Sequence, residues 1–185
     1  MGLTVAVMVV AYQTAFVALQ TMTPLFLQRE HGYSLALIGV VLAAMLTAGA
    51  LAGPFIGRMS DVAGRRVVAV AVLALASAAA LVAAFAGGGL LMVAGLVVAG
   101  SLIVGVRAVM LATAVEVAQG RETTSLGLAF SIMDGVGAGG AVTAGAIGAN
   151  DLRLAIAFAA AMSIVALVVA AALPSKAPQR EAVAA

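Results

Sequence analysis

Gly57-Arg58-Met59-Ser60-Asp61-Val62-Ala63-Gly64-Arg65-Arg66 decides the reading of this chain. It gathers Arg58, Asp61, Arg65 and Arg66 between two long apolar runs, while charge is scarce elsewhere. A short charged stretch between apolar runs is where a chain returns to water between two membrane crossings.

The composition agrees. Hydrophobic residues make up 65% of the 185 residues and charged residues 9%, against about 25% charged in a soluble domain. With a mean hydropathy of +1.24, too little polar surface remains to face water, so the solvent is largely lipid. A net charge of +2 and a pI near 9.7 do not indicate nucleic acid, because the arginines are scattered over separate connections with no basic, aromatic-bearing stripe. There are no cysteines and one histidine, His31. That removes thiol chemistry and leaves too few ligands for a metal cluster or a Ser/His/Asp triad. No catalytic residue, metal or cofactor is expected, and an enzyme is unsupported. His31, beside Arg29 and Glu30, reads as a solvated loop residue.

A helix needs roughly 20 apolar residues to cross the hydrocarbon core. Six segments qualify: about Leu3–Leu27, Leu35–Gly57, Val67–Ala86, Leu90–Val117, Leu126–Gly148 and Leu154–Leu173. They predict an all-α polytopic bundle over residues 1–173, with 174–185 a flexible cytoplasmic tail. The first run lacks a basic leader and exceeds a signal core, so it is read as a retained helix. The missing N-terminal tail points to a short gene or a trimmed segment. Arg58, Arg65, Arg66, Arg121, Lys176 and Arg180 fall on one side and Arg29 and Arg153 on the other. This bias predicts that both termini are cytoplasmic.

Polarity sorts the helices. Ser77 and Ser163 are the only side-chain hydrogen-bonding groups of the third and sixth, which predicts that these two lie outermost, against lipid. The first carries Tyr12, Gln13, Thr14, Gln20, Thr21 and Thr23, with Gln13 and Gln20 seven apart and so on one face. Polarity also fits a 3+3 inverted repeat pairing helices one with four, two with five and three with six. In the glycine-rich fifth helix, Gly135 and Gly139 form a GxxxG step, for packing within the bundle or against a partner.

The chemistry concentrates on Arg107 and Asp134. They lie eleven and ten residues from cytoplasmic ends near Ala118 and Thr124, or roughly 15 Å deep and near the midplane. A charge there costs several kcal/mol unless paired or wetted. They read either as a substrate-binding cation and a proton-carrying acid in an aqueous cavity, or as an ion pair joining helices four and five. Tyr12, Gln13 and Gln20 would line the same cavity or bond other helices. Glu116, near the inner surface, is placed to pair with Arg58, Arg65 or Arg66.

Gly57-x-Met59-Ser60-Asp61-x-x-Gly64-Arg65-Arg66 resembles the loop motif of the major facilitator superfamily, with Gly57, Asp61, Gly64, Arg65 and Arg66 matching and Val62 replacing a frequent Arg. Thr23-Pro24-Leu25-Phe26, Ile38-Gly39 and the glycine-rich fifth helix are also similar to this family. The resemblance implies a half bundle of a secondary transporter, since members usually have two six-helix halves. It implies that Arg58, Asp61 and Arg65 latch against a second bundle, with Glu116 as relay, and that Arg107, Gln13 and Gln20 face a cavity between halves. The family's basic motif on the fourth helix and its Gly-Pro antiporter step are absent, so no antiporter is implied, and the fourth and fifth helices look more like a C-terminal half.

The expectation is therefore a half-size transporter in the bacterial cytoplasmic membrane. It would move a small polar or anionic solute by alternating access, as a same-orientation homodimer. A subunit or fragment of a split twelve-helix transporter and a non-transporting scaffold or sensor are the alternatives.

Overall fold

The computed structural model describes the backbone of residues 2–117 and 122–172, and the side chains of 3–113 and 133–172. The side chain of Glu116, as well as Arg121, Lys176, Arg180 and the tail at 174–185, lies outside them.

In lipid every backbone N–H and C=O must be satisfied within its own segment, and helices do this. The described residues form α1 (Gly2–Leu25), α2 (Leu35–Ala63), α3 (Arg65–Phe85), α4 (Gly89–Val117), α5 (Glu122–Ile147) and α6 (Leu152–Ala172), with no strand among them. Five spans are long and apolar enough to cross a membrane: Leu3–Glu30, Leu35–Ala63, Arg65–Phe85, Gly89–Thr113 and Leu152–Ala172. α5, with 26 residues, has the length for a sixth.

Two connections differ from expectation. Pro24, inside α1, brings no backbone donor, and the helix widens directly after it into a π-helical turn, Phe26–Glu30. The first span therefore ends later than Leu27. The Arg58–Arg66 stretch, read as a loop, is helical except at Gly64. α2 runs through Pro54 to Ala63, and Gly64 turns the chain in one residue at φ +93° while donating to the Ser60 carbonyl at 3.0 Å. The physical reason is length. A helix of 29 residues spans roughly 43 Å, more than the ~30 Å hydrocarbon core, so its last charged turns stand in the headgroup region without unwinding.

The helices form two layers. The front layer runs α5, α1, α4, α2 and the back layer runs α6, α3, with α1 against α6 and α4 against α3. Exchanging α1 with α4, α2 with α5 and α3 with α6 maps each packed pair onto another packed pair, and α1 and α4 run in opposite directions through the bundle. This is the packing of a 3+3 inverted repeat.

Small residues make the seams. A methyl group on Gly49 would lie 2.5 Å from Val104 Cβ and 2.9 Å from the Ser101 carbonyl, so α2 sits backbone-close on α4. α5 approaches α1 likewise. A methyl on Gly140 would be 3.0 Å from Thr14 Cα, and one on Gly137 would be 2.7 Å from Val17 Cγ2. α3 and α6 bury alanine faces (Ala76, Ala80 and Ala83; Ala155, Ala159 and Ala166) and turn Leu75, Val82, Phe85, Ile164 and Val168 outward. Ser77 donates to the Leu73 carbonyl at 2.7 Å.

Candidate functional site

α1 is covered by α6 behind and by α5 and α4 at its sides. Its mid-helix residues that keep exposure, Phe16, Val17, Gln20 and Thr21, therefore open on the front. Phe16 is fourteen residues into α1, roughly 21 Å along the helix and near the middle of the span.

The Arg107 guanidinium lies over the Phe16 ring, 5.3 Å from its centroid. Side chains on a helix lean toward its N-terminus. For α4 that direction is toward the mid-bilayer, so the charge sits deeper than the Arg107 backbone. The ring face supplies a partial counter-charge, worth about 0.5–2 kcal/mol depending on desolvation. Arg107 is half-buried and has no carboxylate partner among the described residues.

Tyr12 stacks on Phe16 with centroids 6.3 Å apart and planes 20° apart. Its ring is fully enclosed, and its hydroxyl donates to the Ile103 carbonyl at 2.8 Å. Tyr12 thus ties α1 to α4 and is not an open cavity group. Gln13 is 2% exposed and faces α5, where a methyl on Gly137 would lie 3.4 Å from Nε2. Its Oε1 is enclosed with no partner. Gln13 and Gln20 share a stripe as expected, yet only Gln20 keeps access to the front, because α5 closes over the inner part of that stripe.

Asp134 is exposed on α5. Of the two alternatives, the ion pair joining helices four and five is not formed: Arg107 and Asp134 are not paired, and α1 stands between most of α4 and α5. Gly135 and Gly139 also differ from the packing-within-the-bundle reading. Both are exposed, with nothing among the described residues within 4 Å of where a Cβ would stand, and the seam with α1 uses Gly137 and Gly140.

At the α2–α3 turn the motif residues separate. Arg65 is half-buried and donates from Nη1 to the Ala112 carbonyl at 3.2 Å, fastening α3 to α4. Arg58, Asp61 and Arg66 are exposed. Ser60 Oγ donates to the Gly57 carbonyl at 2.7 Å, within α2. Arg58, Arg65 and Arg66 share one end of the bundle, and Arg29 and Arg153 the other.

His31, expected to be solvated, is half-buried. It meets Phe26 edge-on at 4.9 Å and 82°, its Nε2 is enclosed without a partner, and its Nδ1 faces Gly88. The π-helical turn carries it inward. Glu30 Oε1 accepts from the Leu152 N–H at 3.4 Å, at the start of α6.

Sequence reasoning missed Phe16, which in an apolar helix looks like any lipid-facing aromatic. Its spacing of four from both Tyr12 and Gln20 was the available signal.

No curated protein matches the chain in sequence. The family model described as Major Facilitator Superfamily matches residues 4–185, which takes in all six helices. The helical composition, the membrane-spanning lengths and the inverted-repeat packing agree with that match, and the chain is an integral membrane protein belonging to the major facilitator superfamily, a family of secondary transporters.

Proposed function

We propose that this chain is one half of a secondary transporter that moves a small polar or anionic solute by alternating access, with a second copy of itself as the other half. The observation that carries this reading is Arg107 on the open front layer, at mid-membrane depth, with no carboxylate partner among the described residues. A guanidinium there is costly unless water or an anion reaches it, and both reach it if the front layer borders an aqueous cavity. Phe16 holds its ring under that guanidinium, and Gln20, four residues further along the same helix, keeps exposure. The exposed Arg58, Asp61 and Arg66 are available to close the cytoplasmic end against a second bundle, while Arg65 braces its own. Asp134 is the candidate proton carrier.

A six-helix half from another chain would meet the same front layer, and the mass of the purified assembly separates these cases. A scaffold or sensor held by an internal Arg107–Asp134 clasp is less well supported, since the clasp is not formed.

A thermal-shift screen of small anions against the detergent-solubilised chain tests the reading, because a ligand at a hundred times its Kd stabilises by about 2.7 kcal/mol. An anion that raises Tm in the parent and not in Arg107→Ala is expected. No stabilising solute, or equal stabilisation of both proteins, overturns it.

A further inference from the structure

The Arg107 guanidinium lies over the Phe16 ring, so it stands at the α1–α4 seam, the middle of the front layer. Arg107 is ten residues from the inner end of α4, roughly 15 Å deep. Among the described residues no second cation stands at this depth. Arg58, Arg65 and Arg66 are at the inner end of the bundle, and Arg29 and Arg153 at the outer end. The other mid-depth charge is Asp134, on the α5 flank of the same layer, twelve residues from the inner end of its helix.

The side chains around the guanidinium are apolar. Residues three before and four after Arg107 share its face of α4, and these are Val104 and Leu111, both half-buried. On α1 the half-buried neighbours of Phe16 are Val17, next in the chain, and Val9, two turns inward. A guanidinium takes a planar carboxylate through two parallel N–H···O bonds, so one carboxylate neutralises this site. A second negative charge on the same solute would find no cation at this depth within the chain and would share the layer with Asp134, and an unpaired charge inside the bilayer is costly. Hydroxyl groups along the solute would lie against valine and leucine and give up water without gaining a partner. An apolar body instead removes surface from water there.

Resting on the reading of Arg107 as the solute-binding cation, we propose that the solute is a monocarboxylate with an apolar body. Its carboxylate takes the guanidinium, and its body lies along the α1–α4 seam beside Phe16, Val17 and Val104. A second copy would add one Arg107 and one Asp134 together, so the balance of charge at this depth is unchanged. A dicarboxylate spanning two guanidinia is the competing case.

Four probes separate these cases by thermal-shift titration of the full-length chain in mild detergent at neutral pH. Benzoate has one charge on an apolar ring, terephthalate the same ring with two charges, gluconate one charge on a hydroxylated body, and benzyl alcohol the ring with no charge. Benzoate should raise Tm and bind at least tenfold more tightly than terephthalate or gluconate, while benzyl alcohol gives no shift. Arg107→Ala should abolish the benzoate shift, and Arg107→Lys, which keeps the charge and loses the fork, should weaken benzoate about tenfold. The ranking of the probes is measured in the parent chain and so does not depend on how any variant folds. Terephthalate or gluconate binding less than tenfold weaker than benzoate, and lost in Arg107→Ala, overturns the monocarboxylate assignment and leaves the anion-binding reading standing. A benzyl alcohol shift equal to that of benzoate also overturns the assignment, because the charge would then contribute nothing. No shift from any of the three acids, or acid shifts that Arg107→Ala leaves in place, overturns both.

Discussion

Arg107 and Tyr12 are both polar groups of the α1–α4 seam, yet their environments differ. The Tyr12 hydroxyl is enclosed and bonded to the Ile103 carbonyl. Tyr12→Phe should therefore lower unfolding stability by about 1 kcal/mol and leave anion affinity within twofold, measured by chemical unfolding and by thermal-shift titration. Phe16→Leu keeps apolar bulk but removes the ring face under the guanidinium. It should weaken anion binding about 3- to 10-fold with little change in the unliganded Tm, the scale of a cation–π contact. Arg107 was legible in the sequence because a charge inside an apolar run violates the cost of the bilayer. Phe16 violates nothing and was invisible. The enclosure of Tyr12, Gln13 and His31 was also hidden, since it depends on which neighbour closes over each side chain.

Among the elements, glycine seams govern how the helices meet. Gly49→Ala would drive a methyl group into Val104 and the Ser101 carbonyl, so it should cost about 1–3 kcal/mol by prying α2 from α4, read as a lowered Tm. Gly135→Ala meets nothing among the described residues and should leave the chain's unfolding stability unchanged, in contrast to Gly49→Ala. The existence and order of the helices could be read from the apolar runs, because length and hydropathy set them. The face of α5 that packs could not. GxxxG spacing selects Gly135 and Gly139, but Gly137 and Gly140 meet α1, because the rotation of a helix rich in glycine is decided by partners that its own sequence does not contain. The Arg58–Arg66 stretch was misread for a related reason: charge marks exit from the hydrocarbon, whereas a helix ends only where its backbone turns, here at Gly64.

For the whole molecule, the front layer of α5, α1, α4 and α2 carries the mid-depth charges, Arg107 half-buried and Asp134 exposed, and the back layer of α6 and α3 turns apolar side chains outward. The inverted repeat was foreshadowed by helix polarity and is carried by packing, where α1 and α4 play equivalent parts. On this division we propose that the front layer borders a solute path in which Arg107 is the binding cation. Uptake of a labelled small anion into liposomes containing the full-length chain tests this most directly. Saturable uptake above protein-free liposomes is expected, retained in part by Arg107→Lys and abolished by Arg107→Ala at equal protein incorporation. Uptake that Arg107→Ala leaves intact, or none for any anion that stabilises the protein, would contradict it.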